Sequence, residues 1–390
     1  MPVDRLLPSD EARDVVELTR AIADKVLAPI VDEHEKNEAY PDGVFARLGE
    51  AGLLSLTGPQ EWGGGSQPYE VYLQVLEEIA ARWAAVAVAV SVHSLACHPL
   101  IAFGTDQQKH EWLPKMLGGN TIGAYSLSEP QAGSDAAALM CKATAWDGGY
   151  RVNGTKAWVT HGGVADFYTL FARTSSGSRG VSCFLVPEDT AGLAFGRPEE
   201  KMGLRSVPTT TAHYDEVFVP TRRRIGAEGQ GLQIAFSALD SGRLGIAAIA
   251  VGVAQAALDA AVQYSQERST FGRRIIDHQG LAFLLAEMCA GVDSARATYV
   301  DAARRHDTGL PYSRNASVAK LVATDAAMRV TTDAVQVFGG SGYTCDYPVE
   351  RYMREAKIMQ IFEGTNQIQR MVISRSLDRE FERSVPRTVR

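Results

Sequence analysis

A single carboxylate in an apolar setting is the feature of this sequence that is best suited to chemistry. The stretch QIFEGTNQIQRMV places Glu363 between Phe362 and Gly364. A carboxylate among apolar neighbours could exchange a proton, whereas an isolated Glu beside a glycine is more often a solvated residue at a helix end. These residues alone leave both interpretations open.

Two further stretches combine small polar groups with an approachable backbone. AYSLSEPQAGSD, residues 124–135, carries hydroxyls, a Glu-Pro turn and an Ala-Gly pair, which suit an anionic or carbonyl-rich ligand. A polar interdomain turn is the alternative. In TKAWVTHGG, residues 155–163, Trp158 and Thr160 fall on one face of a predicted strand, where they could flank a flat ring and hydrogen-bond its edge. A tryptophan buried in plain core is the alternative there.

The third and fourth stretches join cations and glycines to helix ends. QERSTFGRRI, residues 266–275, surrounds a Phe-Gly pair with arginines, which suits phosphate, although arginines also complement the dipole at a helix C-terminus. QVFGGSGY, residues 336–343, contains a glycine pair that ends a helix and lets the backbone approach a ligand. The residues concerned are Arg268, Phe271, Gly272, Arg273, Arg274, Gly339 and Gly340.

Composition places these stretches in an ordinary globular chain. The 390 residues are 45% hydrophobic and 22% charged with a net charge of −7, enough for two or three packed cores and typical neither of disorder nor of a membrane protein. The longest apolar run, which starts at Trp83 and contains His93, His98 and Pro99, predicts a buried helix. The acidic start without a presequence or signal pattern predicts a cytoplasmic protein.

Five cysteines lie far apart without a Cys-x-x-Cys pair. This spacing predicts neither a zinc site nor a disulfide framework, and all five are predicted to fill the core.

The periodicity of apolar residues predicts helices, then strands, then helices. Apolar residues recur at three- and four-residue steps up to about Asn120, and short β-branched runs up to Gly229 predict a compact antiparallel domain. Long helices are predicted near 230–267, 278–308 and 314–338. The predicted domains are residues 1–120, 121–229 and 230–390.

A final helix is predicted after Gly364, with Asn366 as its N-cap and Gln369 completing a capping box. On the helix before it, four charged residues are predicted to form a salt-bridged, solvated face: Glu350, Arg351, Arg354 and Glu355.

Five of these segments, in this order and at these spacings, resemble the acyl-CoA dehydrogenases: YSLSEPQAGSD, KAWVT, RSTFG, QVFGGSGY and IFEGTNQIQR. The resemblance runs from near residue 10 to about residue 378. Residues 238–258, ALDSGRLGIAAIAVGVAQAAL, are similar to the corresponding helix of the short-chain, butyryl-CoA-type members.

The resemblance implies a mostly α fold with a middle β domain (α+β): a helical N-terminal domain, a β-barrel-like middle domain and a C-terminal four-helix bundle. It implies FAD as cofactor, held between domains and across a subunit contact of a homotetramer built as a dimer of dimers. The sequence lacks the G-x-G-x-x-G dinucleotide fingerprint, which this family does not use. The implied partners are an acyl-CoA substrate and an electron-transferring flavoprotein as acceptor, without nucleic acid or membrane insertion. No metal is implied.

The resemblance also implies a role for each matched residue. The isoalloxazine ring would be held by the backbone of Leu127 and Ser128 and by Thr160, with Tyr125 and Trp158 in the same stretches, and Ser134 would face the CoA thioester. The pyrophosphate and adenosine would be held by Arg268, Phe271, His278 and Gln279, by residues 336–340 of a neighbouring subunit, including Gln336, Gly339 and Gly340, and by Thr365 and Gln367. Asp240, Arg243 and Gly364 would lie on the substrate side.

Glu363 matches the catalytic base of the family, which removes an α-proton while a β-hydride leaves a saturated, short- to medium-chain acyl thioester as trans-2-enoyl-CoA. Burial beside Phe362 and an acyl chain would raise its pKa and make it a better proton acceptor. Some family branches carry the base just before the position of Arg243, where this chain has Gly242. Glu363 is therefore the matching candidate.

Two residues depart from the family pattern. His161 stands where many members have asparagine, so a contact at the flavin edge could differ, and a surface histidine is the expected explanation. Phe362 stands where tyrosine is common, which removes a hydroxyl from the pocket.

Three alternatives stay open at this level. They are an acyl-CoA oxidase, although oxidase chains are usually much longer, a branched-chain acyl-CoA dehydrogenase, and a flavin-containing relative that associates with nucleic acid. The last alternative would need a basic surface, and a stripe of arginines four residues apart lies near the C-terminus. Residues 375–390 nevertheless have a net charge of only +2 on an acidic chain, which favours a solvated face or a subunit contact over nucleic-acid binding. The stripe consists of Arg375, Arg379, Arg383 and Arg387.

Overall fold

The computed structural model describes residues 3–41, 43–177 and 179–384, with side chains as far as residue 381. The chain divides into two compact units. The first unit is Leu6–Gly242. The second unit consists of the chain from Arg243 onward and of the few residues that precede Leu6. The predicted order of helices, strands and helices is confirmed, whereas the three domain boundaries stay predictions.

The first unit begins with helices. Ser9 caps the first of them, since its side chain accepts from the Ala12 N–H at 3.1 Å. The helix predicted from the long apolar run is confirmed as Ala84–Phe103, and its sides are buried nearly all round. The helices are α1 (Asp10–Ile22, continued by a π-helical turn at Ala23–Leu27), α2 (Val31–Asn37), α3 (Val44–Glu50), α4 (Tyr69–Ala80), α5 (Ala84–Phe103) and α6 (Asp106–Leu117).

An eight-stranded sheet follows in the order β6-β7-β3-β2-β4-β5-β8, with β1 beside β4. The prediction of an antiparallel domain is correct for most strand pairs of this sheet, but β1 and β2 pair with β4 in parallel. The chain passes through β2 and β3 between β1 and β4, and such a crossover permits the parallel pairing that a hairpin cannot make. The strands are β1 (Gly123–Ser126), β2 (Lys142–Trp146), β3 (Gly149–Thr160), β4 (Phe167–Arg173), β5 (Val181–Pro187), β6 (Leu193–Phe195), β7 (Thr209–Pro220) and β8 (Arg224–Ile225).

The second unit contains the long helices near their predicted positions. A helix crosses the division between the units, a small two-stranded hairpin follows it, and four helices complete the described chain. These elements are α7 (Gly231–Glu267), β9 (Ser269–Thr270), β10 (Arg273–Arg274), α8 (Gln279–Asp307), α9 (Ser313–Phe338), α10 (Val349–Met359) and α11 (Asn366–Ser384).

The predicted cap of α11 was wrong by one residue. Thr365 caps the helix, because its Oγ1 accepts from the Ile368 N–H at 3.2 Å. Asn366 does not cap the helix, because its side chain donates to two residues of α9, to Thr324 Oγ1 at 2.9 Å and to Asp325 Oδ1 at 2.7 Å. Gln369 donates to the Gly364 carbonyl instead of completing a capping box.

Two other predictions from sequence need correction. On α10 the Arg354–Glu350 pair is half-buried, and the Arg351–Glu355 pair is almost completely buried, so the face is salt-bridged but not solvated. Three cysteines are buried as predicted, whereas Cys289 and Cys345 are exposed.

The arginine stripe lies partly outside the described residues, since the side chain of Arg383 and all of Arg387 are not described.

Two helices, α5 and α7, are long and apolar enough to cross a membrane by length and composition alone. Their most apolar windows are 72% and 78% buried, as in core helices of soluble proteins. Within the described ranges, no cluster of three or more His, Cys, Asp or Glu side chains could hold a metal ion.

Candidate functional site

Glu363 lies in the tight turn that joins α10 to α11 in the second unit. Its φ is +54° and that of Gly364 is +85°, so the chain makes two consecutive left-handed steps. Glycine adopts this conformation freely, but a glutamate there costs on the order of 1–3 kcal/mol. Such a conformation persists where the surrounding structure holds it, and it is common at active sites.

The Glu363 carboxyl group is short of partners. Its Oε2 atom is buried and has no hydrogen-bond partner among the described residues, although the residue as a whole is half-buried. Burial raises the pKa of Glu363 from 4.5 to about 7, while the positive charges of Arg243 and Lys320 lower it in part. The group is therefore poised to exchange a proton near neutral pH.

The backbone of this turn is held from beneath by buried side chains. Lys320 of α9 donates from Nζ to the Gly364 carbonyl at 2.9 Å, and Gln369 of α11 donates to the same oxygen at 2.8 Å. Gln369 also donates to the Glu363 carbonyl at 3.3 Å. In contrast, the Glu363 N–H has no acceptor in the part of the chain that the structure describes. The turn thus leaves one backbone donor and one carboxylate oxygen for a ligand.

In the first unit, the loop after β1 exposes backbone donors. The carbonyls of Leu127 and Ser128 accept from Lys156 Nζ and the Ala157 N–H, both at 2.9 Å. The N–H groups of Leu127 and Ser128 have no acceptor among the described residues. Both amides are thus available to a carbonyl-rich ligand.

Lys156 is itself held by a buried ion pair. Its Nζ donates to Glu129 Oε1 at 2.8 Å, with both side chains almost inaccessible to water. Glu129 also accepts from the N–H groups of Met140 and Cys141 at 2.6 and 2.8 Å. Burial alone would raise the pKa of Glu129, but Lys156 and these N–H groups lower it overall, so the carboxylate stays charged.

At the end of β3 a bulge turns Trp158 outward. The pairing with β7 shifts between Lys156 and Val159, and Trp158 adopts a φ of +60°. The Trp158 side chain is 62% exposed, so the alternative of a core tryptophan was wrong. Bulges redirect side chains in this way at binding sites. Thr160, two residues on, is half-buried on the same face.

His161 is not the surface residue that the sequence suggested. It is completely buried, and its Nδ1 lies 3.1 Å from the Gly123 carbonyl. A carbonyl can only accept, so Nδ1 carries the proton, and Nε2 is left as a buried acceptor with no partner in the described chain. The Gly123 N–H donates to His93 Nδ1 at 3.0 Å. Two buried histidines therefore hold Gly123, where β1 begins.

These histidines should make the protein acid-sensitive. Burial lowers the pKa of both His93 and His161 from 6.5 to about 4. Because the folded-state pKa is lower than the unfolded one, each neutral histidine contributes stability that is fully present above pH 6.5 and is lost as the pH falls through 4. Between these values the free energy of unfolding falls by about 1.4 kcal/mol per pH unit for each proton.

We expect His161→Asn, whose amide can still donate to Gly123, to have a shallower dependence of the free energy of unfolding on pH between pH 6.5 and 4. The slope, measured by urea unfolding, should fall by the contribution of one proton. The exposed His213→Asn is the control and should leave the slope unchanged. An unchanged slope in His161→Asn would contradict the assignment.

The predicted phosphate and adenosine residues of the second unit lie on exposed backbone turns. Phe271 is 96% exposed at a φ of +52°, and its ring centre lies 6.2 Å from that of His278. His278 precedes α8, which begins at Gln279. Arg268 follows the last residue of α7 and is exposed.

At the end of α9, a Cβ on Gly339 or Gly340 would meet no atom within 4 Å. These glycines leave open space for a ligand, and Gln336, one turn earlier, is exposed.

The remaining predicted residues divide between the two units. Ser134 is exposed and Asp240 half-buried in the first unit, and Arg243 is buried and Gln367 exposed in the second. Arg243 Nη1 lies 3.5 Å from Ser317 Oγ. Thr365 is committed to capping α11.

Some of the predicted site residues have a left-handed backbone conformation. Among the described residues, eight other than glycine have positive φ, and three of them are Trp158, Phe271 and Glu363. In the first unit, the free amides and the outward aromatic suit a flat ring with a polar edge. In the second unit, the open glycines suit a phosphorylated group.

Sequence reasoning missed the supports beneath these residues: Glu129, Lys156, Lys320, Asn366 and Gln369. Lys320 carried a signal, because its neighbours one turn away in either direction, Ala316 and Thr324, belong to a face of α9 whose other residues are small or apolar and carry no charge. A lysine in such a row predicts either a boundary position or a buried charge.

Known proteins are similar to this chain along nearly its whole length. Models of the acyl-CoA dehydrogenase N-terminal, middle and C-terminal domains match residues 9–120, 124–217 and 229–377. The short-chain specific acyl-CoA dehydrogenase of Megasphaera elsdenii is 40% identical over 376 residues, which cover 95% of this chain and 98% of the relative.

Solved structures give the same result. The butyryl-CoA dehydrogenase from Megasphaera elsdenii has a TM-score of 0.93 at 39% identity, covering 96% of this chain and 100% of that one. A chain from the study of the electron transferring flavoprotein of Acidaminococcus fermentans has a TM-score of 0.94 at 41% identity, covering 96% and 99%. With three domain models matched in order and relatives about 40% identical over almost its full length, the chain belongs to the acyl-CoA dehydrogenase family of flavoprotein oxidoreductases.

Proposed function

We propose that this enzyme binds FAD and uses Glu363 to remove the α-proton of a saturated, short- to medium-chain acyl-CoA, giving the trans-2-enoyl-CoA. The observation that carries the proposal is the buried, unpartnered Oε2 of Glu363, held in a left-handed turn with a pKa of about 7. Such a carboxylate can take a weakly acidic proton at neutral pH and keep it away from water.

The residues around Glu363 supply the other requirements of α-proton removal. The enolate that develops on the thioester oxygen needs a donor, and the unpaired Glu363 N–H is the candidate. Gly364 lets a substrate pass close to the turn. When bound, FAD would supply the acceptor for the β-hydride.

In the first unit, the free amides of Leu127 and Ser128 are proposed to hydrogen-bond the flavin edge, and Trp158 and Thr160 are proposed to flank it. In the second unit, Arg268, Phe271, His278 and the Gly339-Gly340 pair are proposed to take the phosphate and adenosine end. The exposure of Arg268, Phe271 and the two glycines in the single chain supports a homotetramer in which a neighbouring subunit completes the site.

The relatives support two further parts of the proposal. An electron-transferring flavoprotein is the proposed acceptor, in keeping with the flavoprotein study to which one similar chain belongs. A short acyl chain is proposed because the relatives are named short-chain specific and butyryl-CoA dehydrogenase.

Anaerobic titration tests the proposal. The purified enzyme, with its flavin verified by absorbance, is mixed with butyryl-, octanoyl-, palmitoyl- and isobutyryl-CoA, and flavin bleaching is followed. We expect the fastest bleaching with butyryl-CoA and slower bleaching as the chain lengthens. Preference for isobutyryl-CoA would identify a branched-chain enzyme. Rapid reoxidation of the bleached flavin by air would identify an oxidase. No bleaching with any thioester would overturn the proposal.

A further inference from the structure

Lys320 is a buried cation whose hydrogen bonds all go to neutral groups. It is 0% exposed in the middle of α9, and its Nζ donates to the Gly364 carbonyl and to Asn366 Oδ1, both at 2.9 Å. Burial lowers its pKa from 10.5 to about 7. Removing an amine from water without a carboxylate in contact is costly, so a purely structural role would be served better by an apolar side chain.

The neighbours of Lys320 fix its position. Asn366 accepts from Lys320 and from Thr324 Oγ1 at 3.1 Å, and donates to Thr324 and Asp325. Asp325 accepts further from Gln360 and forms an ion pair with Arg370 at 3.1 Å. Asp325 is therefore held by Asn366, Gln360 and Arg370, and the Lys320 amine donates to the turn that carries Glu363.

The charged groups that act on Glu363 come from two helices. Arg243 lies on α7 and Lys320 on α9, and both favour the ionised carboxylate. Asp325 acts on Lys320 from the same helix and favours its charged form. No hydrogen bond joins Lys320 to the Glu363 carboxylate, so Lys320 acts through the backbone and through its field.

We infer that Lys320 is a positioning residue for the catalytic base: its amine anchors the left-handed turn through the Gly364 carbonyl, and its ammonium form stabilises the ionised carboxylate of Glu363, which can accept a proton. Gln369 shares the anchoring of that carbonyl but contributes no charge. This inference rests on the proposed role of Glu363.

The pair of anchors allows the two roles to be separated. Lys320→Met removes anchor and charge, Lys320→Gln keeps an N–H donor without the charge, and Gln369→Met removes only a neutral anchor. Lys357→Met, exposed on α10, is the control. Each holoenzyme is titrated while the carboxylic acid C=O stretch of Glu363 is followed by infrared difference spectroscopy, with the band assigned by its loss in Glu363→Gln.

We expect both Lys320 variants to raise the titration midpoint of Glu363 by about one pH unit, because an opposite charge is lost beside it. In the pH profile of the rate of flavin reduction by butyryl-CoA, the acid limb should move to higher pH by the same amount. Gln369→Met should slow flavin reduction across the pH range without moving the midpoint, and Lys357→Met should match the wild type.

The infrared midpoint decides the inference even without turnover. A midpoint unchanged in both Lys320 variants, or shifted equally in Gln369→Met, would overturn it. Flavin in the wild type that stays oxidised with butyryl-CoA would instead count against the proposed function, and the midpoint would still report whether Lys320 charges the base. If Lys320→Met does not fold, Lys320→Gln carries the same comparison.

Discussion

Glu363→Gln should lower the rate of flavin reduction by acyl-CoA by about 10⁴-fold, the upper range for loss of a general base. Glutamine keeps the size of the side chain and the free backbone N–H of residue 363, so thioester binding should change only a few-fold. The effect should appear in the chemical step, because no other described carboxylate is buried without partners in this turn. Anaerobic stopped-flow measurement of flavin bleaching checks the rate, and titration of the flavin spectrum with enoyl-CoA checks binding.

The stability of the same variant gives an independent check. The folded-state pKa of Glu363, about 7, lies above the ordinary 4.5, so the protonated group contributes stability that is complete below pH 4.5 and is lost as the pH rises through 7. Glutamine does not titrate. Glu363→Gln should therefore exceed the wild type in unfolding free energy by roughly 2–3 kcal/mol at pH 8 and by less at pH 5.

Glu287→Gln, at an exposed position on α8, is the matched control and should change neither rate nor stability measurably. A Glu363→Gln enzyme that bleaches within tenfold of the wild-type rate would remove the residue from catalysis. One that is less stable than the wild type at pH 8 would show that the carboxylate is satisfied in the folded state.

The residues proposed to face the ligand were easier to predict from the sequence than the residues that support them. Glu363, Trp158 and Phe271 lie in short motifs whose order and spacing resemble those of the acyl-CoA dehydrogenases, whereas each motif alone left a second interpretation open. The left-handed backbone angles at Trp158 and Glu363 were not predictable, because they occur where the chain meets residues distant in sequence. The turn at Glu363, for instance, is held by Lys320, which lies 44 residues before the Gly364 carbonyl it contacts.

The errors have a common physical origin. His161, Asn366 and the Arg351–Glu355 pair were assigned to surfaces or caps because polar residues usually occupy such places. In the structure each is buried with a specific partner: the Gly123 carbonyl, the α9 side chains, or the opposite charge. Burial of a polar group depends on which elements pack together, and one-dimensional periodicity does not carry that information.

Lys156→Met should destabilise the first unit by about 3–5 kcal/mol, because it leaves the Glu129 carboxylate buried without its cation. The Leu127 carbonyl would lose its donor at the same time. Thermal unfolding followed by circular dichroism, with flavin release followed by fluorescence, measures both effects. The exposed Arg13→Met, which breaks the surface pair with Asp10, should cost less than about 1 kcal/mol.

A double variant separates the ion pair from the loop it supports. Lys156→Met with Glu129→Gln removes both charges, so much of the stability lost in the single variant should return. Flavin binding should stay weak in the double variant, because the Leu127 carbonyl still lacks its donor and the neighbouring amides are no longer fixed. If flavin affinity returned together with stability, the pair would serve the fold alone. If affinity stayed low in a stable protein, Lys156 would hold the Leu127 and Ser128 amides in the orientation that the flavin requires.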